Sequence, residues 1–199
     1  MNRLLKRTVD IFGASLGLLF ILPLTPFIVL AIKIDSSGPA IIKLDRISGG
    51  KVIKVYKFRS MVNNAYLLKK QYKHLNQRND GPFFKIKNDP RITNVGKFLR
   101  KFRLDEFPQL INVLKGELSL VGPRPHEPEE VIFYPANFKH LLVEKAGVTG
   151  LSQVSGASSL PFLKELELDN YYIKNQSLKL DIKIIAKTIM IIFFDPSAV

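Results

Sequence analysis

The sequence contains no cysteine. That excludes a disulfide framework, a thiolate metal site and a thiol nucleophile. It is compatible with a reducing compartment without identifying one. Histidine is scarce: His74, His126 and His140 stand apart, without the spacing of a zinc site. There is no P-loop and no dinucleotide fingerprint, and the glycines of Gly147-Val148-Thr149-Gly150 are a weak signal alone. Acidic residues are in short supply, 17 against 30 lysines and arginines, for a net charge of +13. Such a surplus calls for an anionic partner: nucleic acid, anionic lipid or a phosphorylated substrate. No internal repeat occurs, and no linker long enough to divide the 199 residues into two soluble domains.

What is present is unevenly spread. Hydrophobic residues make up 46% of the chain and concentrate toward its start, which favours membrane and phosphate over nucleic acid. Ile11 to Ile32 carries no charge. At about 1.5 Å per residue, a helix of that length reaches across the roughly 30 Å hydrocarbon core of a bilayer. A cleaved signal peptide fits poorly, because Lys33-Ile34-Asp35 follows without a small-residue cleavage site. Pro23 and Pro26 predict a kink or break, since a proline within a helix removes a backbone bond and crowds the preceding turn. Basic residues flank both sides: Arg3, Lys6 and Arg7 before, and Lys33, Lys43, Arg46, Lys51, Lys54 and Lys57 after. Basic flanks favour the cytoplasmic face. A helix that enters, breaks near Pro23 and leaves on the same side satisfies both flanks; a kinked span and a buried core helix are the alternatives. Asp10, at the edge of the apolar run, is expected to pair with Lys6 or Arg7.

Further along, Ala40–Arg46 and Val52–Phe58 read as a hairpin around Ser48-Gly49-Gly50. Ser60–Leu75 reads as a polar, lysine-rich helix, Asn79-Asp80-Gly81-Pro82 as a loop, and Ile92–Phe102 as a basic amphipathic helix. Leu104–Leu114 reads as a short helix opening on Asp105-Glu106. Gly122-Pro123-Arg124-Pro125 is a rigid loop and Gly147–Gly156 a second, glycine-containing one. In Leu178–Phe194, Lys179, Lys183 and Lys187 recur every fourth residue opposite an isoleucine-rich face. That pattern suits a helix lying on a membrane surface or packing on a core.

Asp105 and Glu106 are the candidate chemical centre. An arbitrary acidic pair at a helix start is a cap that opposes the helix dipole. Here Arg91, Lys97, Arg100, Lys101 and Arg103 precede the pair and Arg124 follows. Cations lower a neighbouring carboxylate's pKa and keep it ionised. An ionised aspartate can attack phosphorus or hold Mg²⁺ through oxygen, and arginines can neutralise a diphosphate. Together these make a phosphoryl-transfer kit. Lys57 and Arg59 add cations on alternate positions of the second strand, where a solvated strand face is the plainer reading.

These segments, in order, resemble the small monotopic phosphoglycosyl transferases, the bacterial sugar transferases, nearly end to end. The landmarks are Lys6-Arg7-Thr8-Val9-Asp10, Gly38-Pro39, Tyr56-Lys57-Phe58-Arg59-Ser60-Met61, Asn88-Asp89-Pro90-Arg91-Ile92-Thr93-Asn94-Val95-Gly96 and Leu99-Arg100. The strongest is Leu104-Asp105-Glu106-Phe107-Pro108-Gln109-Leu110, running on through Asn112-Val113-Leu114-Lys115-Gly116. Ser119–Pro125 and Gly147–Gly156 complete the set. The resemblance implies a re-entrant membrane helix broken at a Ser-Pro pair, which falls here on Leu22-Pro23, and an active site at the cytoplasmic face of the bacterial inner membrane. It implies Asp105 as the nucleophile toward a UDP-sugar, release of UMP, a phosphosugar-aspartate intermediate, and polyprenol (undecaprenyl) phosphate as the acceptor. Mg²⁺ would bridge Asp105 and the diphosphate, Glu106 would complete the dyad, and Lys57, Arg59, Arg91, Arg100 and Arg124 match basic positions of the family motifs, several of which would contact phosphates.

The chain departs from the family pattern at four places. Leu22 replaces the serine before the break, and Ala146 stands where proline is usual. Ser155-Gly156-Ala157 replaces Asn-Gly-Arg, and Leu44-Asp45-Arg46 replaces Gln-x-Arg. The expectation is an α+β, mostly helical protein with a re-entrant anchor (1–36), a cytoplasmic-face catalytic domain (37–199), interfacial amphipathic helices and a small β-hairpin. The rival reading is a non-catalytic membrane scaffold that binds anionic lipid or a partner glycosyltransferase. It explains the charge and anchor but not an acidic pair set among arginines. A nucleic-acid binder would interleave aromatics with the basic patch. Arg91–Arg103 offers only Phe98 and Phe102, at helical spacing, expected in the core. Oligomeric state, a homo-oligomer included, stays open.

Overall fold

The computed structural model describes residues 2–156 and 159–194. It is an α+β fold, mostly helical. The apolar stretch forms α1 (Arg3–Ile21), a 3₁₀ turn (Leu22–Leu24) and α2 (Thr25–Asp35), a 33-residue run long and apolar enough by length and composition to cross a membrane. The break has an identifiable cause. Pro23 and Pro26 remove two backbone donors, and the Thr25 N–H turns to Leu22 instead of reaching Ile21. The Thr25 hydroxyl takes over, donating to the Ile21 carbonyl at 2.9 Å. The hydroxyl absent at position 22 is therefore supplied from position 25.

Both ends of this run are held by the same body. The Arg7 guanidinium donates to the carbonyls of Val113 (2.6 Å) and Leu114 (2.7 Å) in α5 (Gln109–Lys115). At the other end Asp35 accepts from Val95 N at 2.9 Å, at the start of α4 (Asn94–Lys101). Gly13 and Gly17 let α1 press down. A Cβ at either would come within 2.5 Å of a side-chain carbon of Leu120 or Leu110. Ala14 and Ile21 are buried on the same helix, whereas Phe12, Leu16, Leu19 and Phe20 are exposed.

β1 (Ile41–Ser48) and β2 (Lys51–Phe58) form the expected hairpin, in register from Ile41↔Phe58 to Ser48↔Lys51. Its two-residue turn, Gly49-Gly50, has φ of 59° and 72°, the left-handed pair that matches strand twist. The expected helix over Ser60–Leu75 does not form; only α3 (Ala65–Leu68) and a 3₁₀ turn at Lys73–Leu75 are helical. The backbone of Ser60–Val62 is instead bonded to Arg91–Thr93, and Asn64 adopts φ 59°. Leu104–Leu114 is likewise not one helix. A 3₁₀ turn (Leu104–Glu106) precedes α5, because Pro108 has no N–H to continue it.

The expected loop at Gly147–Gly156 is β4 (Gly147–Thr149) followed by α7 (Leu151–Val154). β4 runs parallel to β3 (Ser119–Val121), with Ser119↔Gly147 and Val121↔Thr149. Gly147 is required there, since a Cβ would lie 2.1 Å from Gly122 N. Ala146 is buried, and its N–H donates to Ser48 Oγ at 3.0 Å, a bond the family's proline could not make. Ala157 lies outside the described residues. α6 (Pro128–Val131), α8 (Phe162–Lys174) and α9 (Leu178–Phe194) complete the body.

Among the described residues, four apolar clusters hold these elements together. Ala14, Val55, Leu110 and Val113 seat α1 on α5 and the hairpin, while Ile21, Ile32, Phe58 and Leu99 gather beneath α4. Phe83, Tyr134, Phe162 and Leu166 pack under α8, and Val121, Tyr172 and Ile184 join α8 and α9 to β3. A polar clasp ties α1 to α9. Lys6 Nζ lies 2.7 Å from Asp181 Oδ2 and 3.7 Å from Asp10, and donates to Val121 O at 2.9 Å. Buried Asp10 accepts from the Ser119 hydroxyl and Leu120 N, each at 2.9 Å. Asp10 thus has the expected lysine partner only at the longer distance, and Arg7 serves α5. α9 exposes Lys179, Lys183 and Lys187 on one side and Ile182, Ile189 and Phe193 on others, and buries Asp181 and Ile184. Phe98 is not a core residue: it is 57% exposed and packs on Phe102 at 5.0 Å, because α4 turns Gly96 and Leu99 inward.

Candidate active site

α4 ends at Lys101, and Arg103, which takes φ 52°, folds the chain directly into the Leu104–Glu106 turn. Two carboxylates are thereby presented beside the end of β2. The Lys57 ammonium closes on Glu106 Oε1 at 2.6 Å, with both side chains less than one-third exposed. Asp105 is buried. Among the described residues no ion pair closes on it; Lys57 and Arg100 act on it at longer range.

This arrangement splits the pair electrostatically. Burial raises the pKa of Asp105 above the usual carboxylate value and outweighs Lys57 and Arg100, which oppose it, while Glu106 adds to the rise. The sequence argument from nearby cations predicts the opposite direction. At Glu106 burial also pushes upward, but Lys57, with Arg103 and Arg124 behind it, wins and holds that carboxyl below its ordinary value. Glu106 is the ionised member, and Asp105 is the one whose charge is costly until a cation joins it.

The basic residues divide into two groups. Lys57 touches the acidic pair, Arg100 interacts with both carboxylates, and Arg124 acts on Glu106. Arg100 is steered by Ser60, whose hydroxyl accepts from its Nε at 2.9 Å. Gly96 makes that possible, because a Cβ there would sit 1.9 Å from the Ser60 carbonyl oxygen. Arg124 lies 3.3 Å from buried Glu165 and stacks over Phe83 at 5.2 Å. The other two are engaged elsewhere. Arg59 is buried, and its guanidinium donates to the carbonyls of Ser37, Ser36 (2.6 Å) and Ile32 (3.4 Å), closing the end of α2. Arg91 is buried against Asp89 through paired bonds of 2.9 and 2.6 Å, with Phe84 on its face at 5.1 Å.

Several partners escape the sequence reading. Asp89 was legible in principle, two residues before Arg91 in one motif. Glu165 and Asp169 were not, since they lie about forty positions from Arg124, whose backbone N–H donates to Asp169 at 3.0 Å. His126, dismissed as a metal ligand, is buried with its ring nitrogens 3.0 Å from Glu165 and 3.3 Å from Glu130. Burial disfavours its charge, but the two carboxylates prevail and raise its pKa.

No group of three or more acidic or histidine side chains able to hold a metal occurs among the described residues. Mg²⁺ does not need one. It binds through one or two carboxylates and otherwise through substrate phosphates and water. A buried carboxylate without an ion-pair partner fits that role, and Asp105 is such a group.

An acidic pair ringed by cations, set against a long apolar helix, is an arrangement the comparisons extend. Residues 1–195 match the model of the bacterial sugar transferases, and the chain belongs to that family. It is 42% identical to the undecaprenyl-phosphate galactose phosphotransferase of Salmonella typhimurium over 195 residues, covering 96% of this chain and 41% of that protein. It is 40% identical over 207 residues to the UDP-glucose:undecaprenyl-phosphate glucose-1-phosphate transferase of Escherichia coli, covering all of this chain and 42% of the relative. Against the exopolysaccharide production protein ExoY of Rhizobium meliloti, identity is 36% over 188 residues, 92% of this chain and 83% of ExoY. The chain thus spans about two-fifths of the length of the first two relatives and most of the third.

Proposed function

We propose that the chain is a phosphoglycosyl transferase that moves a phosphosugar from a UDP-sugar to polyprenol phosphate and releases UMP, as a membrane step in building a bacterial surface polysaccharide. The observation that carries this reading is the split acidic pair: buried Asp105 beside ionised Glu106, with Lys57, Arg100 and Arg124 around them. The names of the relatives support the donor and acceptor classes.

In this reading an oxygen of Asp105 attacks the sugar-proximal phosphorus. The phosphorus–oxygen bond to the nucleotide breaks, UMP departs, and an aspartyl-phosphosugar remains. An oxygen of the acceptor phosphate then attacks the same phosphorus, and its bond to Asp105 breaks. The product is polyprenol-diphospho-sugar, and the carboxylate is restored. Glu106, kept ionised by Lys57, orients the acceptor phosphate and takes up any proton it still carries. Arg100 and Arg124 neutralise phosphate charge; Arg59 and Arg91 act by fixing the end of α2 and the Asp89 turn. Mg²⁺, held by Asp105 and the diphosphate, would supply charge neutralisation at the reacting phosphate.

Residues 1–36 form the membrane segment in this reading and 37–199 the body at the cytoplasmic face of the inner membrane. The two anchored ends support a re-entrant path. A straight helix from Arg7 to Asp35 would part them by about 42 Å, yet they bind α5 and α4 of one body.

The test is direct. Purified protein with Mg²⁺ and a panel of UDP-sugars should release UMP and gain one phosphosugar by intact mass, and Asp105→Asn should do neither. If wild type gives neither signal across the panel, the transferase reading fails.

A further inference from the structure

A groove of about 550 Å³ runs between α1 and α9. That is the size of a small-molecule site. Phe12 and Leu16 of α1 form one wall, Ile185 and Ile189 of α9 the other, with Leu110 and Leu120 between. Four lining residues have polar side chains. Thr149 and Thr188 spend their hydroxyls on each other at 2.7 Å, and Thr188 also bonds the Ile184 carbonyl. The other two are Glu106 and Arg103. Among the described residues, the groove therefore offers a ligand side-chain hydrogen bonds and charge only where it meets the acidic pair. A sugar or nucleotide laid along it would lose its water without compensation. A run of hydrocarbon ending in an anion would not.

We propose that this groove receives the isoprene units next to the phosphate of the lipid acceptor, so that α1 and α9 together guide the acceptor's head to Glu106. The proposal rests on the transferase reading above and adds a specificity element to it. Continuity with the acidic pair favours the acceptor over a bulk phospholipid, whose acyl chain would bring no reacting group to Glu106. It also gives α9 a part in acceptor choice, through residues about eighty positions beyond the catalytic turn.

Two measurements test it on the full chain in nanodiscs. In wild type, an undecaprenyl monophosphate carrying a diazirine near its phosphate should label peptides of α1 and α9. Unlabelled undecaprenyl phosphate should compete, and phosphatidylglycerol should not. In kinetics, kcat/KM for undecaprenyl phosphate relative to a single-isoprene monophosphate should fall about tenfold in Leu16→Trp and Ile189→Trp, as expected for crowding an apolar pocket. Both positions are about half exposed, so the larger ring can be tolerated. Leu19→Trp and Met190→Trp, on the same helices but outside the groove, should keep the wild-type ratio. Intact turnover with an unchanged ratio, or labelling that phosphatidylglycerol competes, overturns the groove assignment and leaves the transferase reading standing. Absence of turnover with every polyprenol phosphate in wild type overturns both.

Discussion

Asp105 must be charged to attack phosphorus, yet burial favours its neutral form. Under the proposed mechanism the rate should climb with pH through a value above the ordinary carboxylate range, read from a kcat/KM profile of UMP release. Lys57 is the strongest influence pulling that value down. Lys57→Met should therefore move the acid limb to higher pH as well as slow turnover. Stability runs the other way. A carboxyl whose folded pKa is raised favours the fold while protonated, and that contribution is lost as pH rises through the raised value. Asp105→Asn should thus melt at a higher temperature than wild type near neutral pH, with the gap closing in acid. A lower melting temperature at neutral pH would contradict the assignment. The identity of the acidic pair was legible from the order of motifs, and Lys57 from its position in one of them. The sign of the Asp105 shift was not, because burial comes from the packing of α4, α5 and β2 around one turn. Arg59 and Arg91 read like Arg100 and Arg124 in the sequence; only folding shows that carbonyls and Asp89 absorb their donors.

Among the elements, glycines mark the tightest approaches, and their neighbours decide what a methyl would do. At Gly96 the obstacle is the Ser60 backbone oxygen, which cannot swing aside. Gly96→Ala should cost about 2–3 kcal/mol, visible as a lower melting temperature, and should reduce turnover by displacing Arg100. At Gly13 the obstacle is the far end of Leu120, which can rotate. Gly13→Ala should cost less than Gly96→Ala in the same melt. Thr25→Val keeps the shape of the helix break but removes the hydroxyl from Ile21 O. It should cost roughly 1 kcal/mol, and Thr25→Ser should restore it. The hairpin was legible because two β-rich runs flank Gly49-Gly50, a purely local signal. The β3–β4 pairing was not, since parallel strands need a long connection and neither is longer than three residues. Ser60–Leu75 has a helical composition, but Asn64 and the bonds to Arg91–Thr93 override it.

At the scale of the molecule, buried charge sets how stability follows pH. Behind Arg124, burial raises Asp169 to about 6, against the pull of Ser152 and the Arg124 N–H, and His126 is raised by Glu130 and Glu165 despite its burial. Both raised groups stabilise the fold while protonated, so their contributions fade as pH rises through about 6 and through the histidine's raised value. Glu106 and Glu130, held low, contribute at neutral pH and lose that contribution only in acid. The melting temperature should therefore fall from pH 6 toward alkaline pH, and His126→Gln should flatten that decline. A wild-type melting temperature that rises across this interval would refute it. The clasp between α1 and α9 bears on how the protein is made. Lys6 and Asp181 are 175 residues apart, and Asp10 waits 109 residues for Ser119. At ribosomal speeds of about 5–20 residues per second, the apolar run is made roughly seven to thirty seconds before Asp181 exists. For that interval Lys6 and Asp10 lack Asp181 and Ser119, and in the proposed reading the bilayer surface suits both the apolar run and its basic flanks. Under the proposed function, insertion would thus precede folding, and the body would be assembled onto a helix already in the membrane.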